Sequence, residues 1–222
     1  MEHKWIEIET TINTVNWKGE PIEVKGVKAF KDPETEEIMV YPPEVAKAEI
    51  NQVVEQFTER MNICPRDVGT LLMILAKPGD FPEGEVFYKY HLQKMMFYLW
   101  KSLGKIYGDS LPLDHFLPAE NGPVPKHLDE DLRRFAKNKL IRIKYEKWED
   151  ASKKIITSKR IILTREGKKI AEELWHRIPE PYEKTALSVK KRIYRLDPDR
   201  VRHLVHKEFP EYKNTYLKND IE

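Results

Sequence analysis

Residues 87–107 form a helix-length segment that is apolar on almost every side. Leu92, Met95, Met96, Leu99, Leu103 and Ile106 fall on one broad stripe at helical spacing, and Tyr88, Phe97, Tyr98 and Trp100 widen it until little polar surface is left. Such a helix is stable when other elements surround it, so the remaining elements are expected to layer about it. A chain of 222 residues is long enough to supply them. The stripe is read as core rather than as a cofactor pocket.

The segments before the central helix change character at Pro42-Pro43. Trp5, Ile6 and Ile8 open a strand that runs to Val15, Lys18-Gly19 is a turn, and residues 22–24 alternate with charge. Gly26 breaks that run. Val27-Lys28-Ala29-Phe30 and Ile38-Met39-Val40-Tyr41 then form a hairpin around Asp32-Pro33-Glu34-Thr35-Glu36. A helix follows to Met61, with Glu44 in its first turn and Val45, Ile50, Val53, Val54 and Phe57 on one face. Pro65-Arg66-Asp67 opens a shorter helix bearing Val68, Leu71, Leu72, Ile74 and Leu75, and residues 78–84 are a loop by composition.

Beyond the central helix, Asn121-Gly122-Pro123-Val124-Pro125-Lys126-His127-Leu128 is a turn stiffened by two prolines that leads into a helix over 126–139. Residues 140–145 alternate as a strand, 149–152 are a turn, and Ile155-Ile156 with Arg160-Ile161-Ile162-Leu163 make the return strand. Thr164 caps the next helix, although Gly167 occupies the position where a capping box would have Glu or Gln. Pro179-Glu180-Pro181 is read as a boundary, followed by helices over 183–196 and 198–209, the second capped by Asp197. Helices, a two-strand wing and a closing helix in this order read as a winged-helix unit. The fold class expected is therefore α+β: a small N-terminal β module (1–42), a connecting helix (43–62), a mostly helical winged-helix-like domain (63–178) and a C-terminal helical extension (179–222).

Composition removes several classes of function. No run approaches the 18 apolar residues of a membrane span, and no apolar stretch follows Met1-Glu2-His3-Lys4-Trp5 as in a signal peptide, so a cytoplasmic protein without membrane partners is expected. Abundant Lys and Glu with Gln only at 52, 56 and 93 suggest a thermophile. Cys64 is the only cysteine, which rules out an internal disulfide and a cysteine zinc site in one chain; it is read as a small buried hydrophobe. His203 and His206 share a helix face but lack further ligands, and Asp129-Glu130-Asp131 reads as a solvated helix start, so no metal is expected. No serine sits in a nucleophile elbow and no Gly-rich phosphate loop occurs. The chain is expected to bind rather than catalyse, with no cofactor; the weaker enzymatic reading would place a pocket near His115 and His127.

Charge is unevenly spread. Residues 1–60 hold 7 Lys/Arg against 13 Asp/Glu, a net of −6, whereas residues 139–170 hold 11 against 4, a net of +7, and residues 184–218 hold 10 against 4, a net of +6. The wing carries Arg142, Lys144, Lys147, Lys153, Lys154, Lys159 and Arg160, candidates for lying along the phosphates of double-stranded DNA. The helix before it mixes Lys126, Arg133, Arg134, Lys137 and Asn138 with three acids, which supports sequence-specific readout poorly. The second basic set, Lys190-Lys191-Arg192, Arg195, Arg200 and Arg202, is read as balancing the acidic front or a dimer partner.

Two resemblances bear on function. Leu92-Gln93-Lys94-Met95-Met96-Phe97-Tyr98-Leu99, Gly122-Pro123-Val124-Pro125 before a helix, and Leu163-Thr164-Arg165-Glu166-Gly167 resemble the Panacea, or SocA-like, antitoxin domain over residues 90–174. Ala119-Glu120-Asn121 stands where that family often has Arg or aromatic residues. Residues 27–37, continuing to Pro43-Glu44-Val45-Ala46, resemble half of an MqsA/YgiT-type antitoxin zinc module, with Asp32 and Thr35 at its cysteine positions. That resemblance implies a β module that has lost its zinc and rests on Trp5, Ile8, Val24, Phe30, Ile38 and Val40. Together they imply an antitoxin-like or regulatory protein that binds a cognate toxin or other protein through Gln93, Lys94, Asn121, Gly122 and Pro123, and DNA through its wing. The alternative is a dimeric winged-helix transcription regulator.

Overall fold

The structure, a computed structural model, describes residues 5–16, 19–61, 63–77, 79, 83–86, 88–107, 113, 115–119, 121–149 and 155–212. Its first element is an antiparallel sheet in the order β1-β2-β3, formed by β1 (Ile6–Val15), β2 (Pro21–Lys31) and β3 (Ile38–Val40). Gly26 does not break the second strand as expected. Lys25 and Gly26 together oppose Thr11, a bulge that keeps one strand continuous while shifting its register. At the turn into β3 the Asp32 carboxylate accepts the amides of Glu34 and Thr35 at 2.8 and 3.2 Å, so hydrogen bonds close this loop. Val24 and Val27 are buried against Ala48 of α1 (Pro42–Met61), with Ile12, Ile22, Val40 and Val45 around them. Trp5 and Ile38, expected in this core, are instead 37% and 51% exposed.

The rest is a helical body in which α1 is one wall. Its other face carries Ile50, Val53, Val54 and Phe57 into a continuous core with α2 (Asp67–Leu75) and α3 (Lys89–Tyr107). Every residue of α2 is buried. Helix α3 is the apolar rod expected; Leu92, Met95, Met96, Leu99 and Leu103 are buried, although Ile106 is 43% exposed. Between α2 and α3 lies β4 (Glu85–Val86), which the sequence reading assigned to no strand. After α4 (Leu128–Lys137) come β7 (Ile141–Glu149) and β8 (Ile155–Leu163), and the three strands pair in the order β4-β8-β7. A small hairpin, β5 (Phe116–Leu117) with β6 (Val124–Pro125), precedes α4. The order α2-β4-α3-α4-β7-β8, with the last strand central in the sheet, is a winged-helix unit.

Helix α5 (Arg165–Trp175) begins where the sequence placed it: the Thr164 hydroxyl accepts the Gly167 amide at 3.1 Å and donates to the Lys139 carbonyl at 2.6 Å. A Cβ on Gly167 would fall 1.9 Å from the Leu140 carbonyl oxygen, so only glycine lets α5 start against the end of α4. Helix α6 (Glu180–Ile193) and α7 (Pro198–Glu208) follow, the latter capped by Asp197, which accepts the Arg200 amide at 2.8 Å. The expected boundary at Pro179 marks a turn only, because Tyr182, Ala186, Val189, Ile193, Val201 and Val205 enter the same core as α2 and α3. Among the described residues, no helix is long and apolar enough to cross a membrane.

Candidate functional site

Four of the residues singled out for partner binding, Lys94, Asn121, Gly122 and Pro123, meet where α3 passes beneath the turn before α4. Lys94 is fully buried, and its Nζ donates to the Pro123 carbonyl at 2.8 Å, 4.9 Å from the Tyr90 ring centroid. The Tyr90 hydroxyl donates to the Asn121 carbonyl at 3.2 Å. Gly122 has φ +84°, and a Cβ there would come within 3.0 Å of Val205 and 3.6 Å of Lys94 Nζ. The turn is thus locked from below by an amine and from the side by α7. Burial pushes the Lys94 amine down to about 7. This geometry corrects the partner-binding set: Lys94, Gly122 and Pro123 are buried and shape the turn, while Asn121 is exposed at its apex and Gln93 is half-buried.

The helix that follows the turn, α4, holds the position of a recognition helix. Its exposed side presents Asp129, Glu130, Arg133 and Lys137. Asp131 does not belong to the solvated face expected of it; it is buried and accepts three hydrogen bonds from Arg66 and one from Arg134. Arg134 also bonds Asp67, whose second oxygen accepts the Cys64 amide at 2.6 Å. Burial drives the Asp67 carboxyl upward, against the pull of the Cys64 amide and Arg134. This four-residue ion cluster fixes α4 to the start of α2 and removes Arg134 from any outward role. Cys64 beside it is half-buried rather than a fully buried hydrophobe.

The basic wing is divided by its own pleat. Lys144 sits opposite Arg160 and Tyr145 opposite Lys159, so Arg142, Lys144 and Arg160 share one face and Lys147 and Lys159 the other. Arg142, Lys144 and Lys147 are exposed, and Lys159 is half-buried with its Nζ 5.9 Å from the Tyr145 ring. Arg160 binds the Glu85 carboxylate through both oxygens at 2.9 and 2.7 Å and Glu146 at 3.2 Å, stapling all three strands together. Its expected role on a phosphate backbone is therefore replaced by a structural one. Lys153 and Lys154 lie outside the described residues. No family model, curated protein or solved structure matches the chain.

Four of the second basic set, Lys190, Arg192, Arg200 and Arg202, turn inward or pair locally, while Lys191 is exposed. Lys190 is fully buried and donates to the Ile74 carbonyl at 2.7 Å, near the C-terminal end of α2, and burial pushes its amine down to about 7. Arg192 pairs with Glu208, Arg200 with Asp197 and Arg202 with Asp199, none of them in the acidic front. The enzymatic reading finds His115 exposed and His127 half-buried, with the His115 carbonyl accepting the Lys126 amide at 2.8 Å. A cleft of about 290 Å³ opens elsewhere, between β2, α1 and the end of α5. Its Gln52 bridges the Glu23 carbonyl and Lys25 amide, and its Gln56 binds Arg177, contacts that hold sheet, helix and body together. Among the described residues no group of three or more His, Cys, Asp or Glu converges as a metal site requires.

Sequence reasoning missed the ion cluster and the Lys190 plug. The Asp131–Arg134 pair was within reach, being three residues apart on one helix. Arg66, Asp67 and Lys190 carry no comparable local signal, since their partners lie 65, 67 and 116 residues away in the chain.

Proposed function

We propose that this chain is a non-enzymatic, antitoxin-like or regulatory protein whose winged-helix unit binds a partner protein at the Asn121 apex and the exposed side of α4. The observation that carries the reading is the start of α4. In a DNA-reading helix-turn-helix the N-terminal residues of the recognition helix face base edges and phosphates. Here Glu130 is exposed at that position, where it repels a phosphate backbone, and Asp129 beside it is paired with Lys89 at 2.6 Å and so offers that backbone no cation. A mixed-charge surface beside a stiffened turn suits a protein partner, and winged folds serve either purpose. The test is co-expression and co-purification with the product of a neighbouring gene. If the chain neither binds that product nor changes its toxicity, the antitoxin reading fails.

A second reading, a DNA-binding transcription regulator, is favoured by Arg142, Lys144 and Lys147 exposed along β7. It requires duplex affinity that falls steeply with salt as counterions are released. Reversing these three charges leaves the Arg160 staple intact and abolishes such binding if the wing is responsible. A flat salt response in fluorescence anisotropy rejects it.

A further inference from the structure

Sheet edges expose unpaired amides and carbonyls, and proteins usually blunt them with short strands, prolines or cations. Three outer strands in this molecule follow that rule: β3 has three residues and ends at Pro42-Pro43, β4 has two residues, and β7 bears Arg142, Lys144 and Lys147. Strand β1 is the longest of these edges and has the least protection: among the described residues it is an outer strand of ten residues with neither Lys, Arg nor Pro, guarded by Glu7, Glu9 and the bulge opposite Thr11. Large apolar side chains are exposed at both ends of β1 and along β3: Trp5, Ile6, Val15, Ile38, Met39 and Tyr41 are all at least 37% exposed. Along the helix-facing side of β1, Ile8, Thr10, Ile12 and Thr14 are only half-buried, although Val24, Val27 and Ala29 beside them are covered.

We propose that β1 is the seam of a homodimer, pairing antiparallel with β1 of a second copy to make one six-stranded sheet. A twofold axis at Thr10 keeps every side chain on its own face. It sets Ile8 against Ile12 twice, Ile6 against Thr14, Glu9 against Thr11 and Glu7 against Asn13. No glutamate meets a glutamate, and Glu7 is already bound to Lys28 of its own sheet at 2.9 Å. The two helix-facing isoleucine pairs extend the thin apolar layer across the seam, and cross-strand pairs of this kind are the unit of sheet stabilisation. This inference is independent of the partner protein proposed above.

The experiment is sedimentation equilibrium on the full chain, with circular dichroism confirming that each variant folds. The wild type runs as a dimer. Thr10→Lys and Thr10→Glu, which each put like charges at the axis, both run as monomers, and their equimolar mixture returns to a dimer. In a Cys64→Ser background, Thr10→Cys gives a disulfide-linked dimer under mild oxidation, because residues directly opposite at an axis stand about 4.5–5.5 Å apart between Cα atoms, inside disulfide range. A wild type that stays monomeric at about 100 µM overturns the proposal. So does a dimer that persists in Thr10→Lys, or a Thr10→Cys chain that fails to cross-link.

Discussion

The N-terminal sheet and the winged-helix body are made from the same alphabet but are held in different ways. The sheet has a core of Val24, Val27 and Ala48, and its ion pairs are at the surface; Lys28 and Glu7 are 52% and 57% exposed. The body surrounds a helix buried at all nine positions, and it also buries Asp67, Asp131, Lys94 and Lys190. Burying charge is costly unless partners are exact in number and direction. The sheet therefore derives its order from backbone ladders, a shared wall and the single buried carboxylate of Asp32, whereas the body is tied together by several polar locks between distant elements.

The largest effect should come from opening one of those locks. Asp131→Ala leaves Arg66 without its partner and is expected to lower unfolding free energy by about 3 kcal/mol, the lower end for a broken buried pair because both arginines retain some solvent. Urea titration checks it, and a loss below about 0.5 kcal/mol would put the body's charges on a par with the sheet's. The next concerns pH. Lys94 and Lys190 lose their protons near 7 in the folded chain but near 10.5 when unfolded, so the unfolded state binds more protons between these values. Stability should rise as pH increases from 7 to about 9.5, before tyrosines such as Tyr182 begin to ionise in the unfolded chain. Replacing both lysines with methionine should flatten that rise; an unchanged slope would remove them as its source.

A smaller, opposite change is available where α4 ends. Lys139 has φ +57°, a left-handed conformation at the position where helices favour glycine. Lys139→Gly should stabilise the body by about 0.5–1 kcal/mol in the same titration, and a loss would mean that the lysine side chain contributes more than the backbone strain removes. The least effect is expected in the sheet: Lys28→Ala should leave the midpoint of the same titration essentially unchanged. A loss as large as that of Asp131→Ala would erase the contrast between the two regions.

The elements that could be read from sequence were those with a repeated local pattern. The apolar stripe of α3, the alternation of β7 and β8, and the capping residues Thr164 and Asp197 all act over a few neighbours. What stayed hidden depends on partners distant in the chain. Strand β4 has two residues, too few to show a period, and becomes a strand by pairing with Ile161 and Ile162 of β8. Gly26 signalled an irregularity but not its kind, because a bulge and a break look alike until the opposing strand is known. At the candidate site Lys94 lies against Gly122 and Pro123, but a lysine on a helix reads as solvated, so its burial has no signal in the sequence. Arg160 likewise reads as a cation on a ribbon until Glu85, 75 residues earlier, is placed beside it.

The complete enclosure of α2 carries a consequence for biosynthesis. The helices that seal it, α5 and α6, leave the ribosome long after it does. With chains growing at about 5–20 residues per second, Val68, Leu71, Leu72 and Ile74 spend several seconds with no lid. During that interval the nascent chain presents a sticky peptide of the sort that chaperones grip. The sheet and α1 lie upstream and have their own partners already in hand, so the protein is made with its front assembled while its centre waits for the tail.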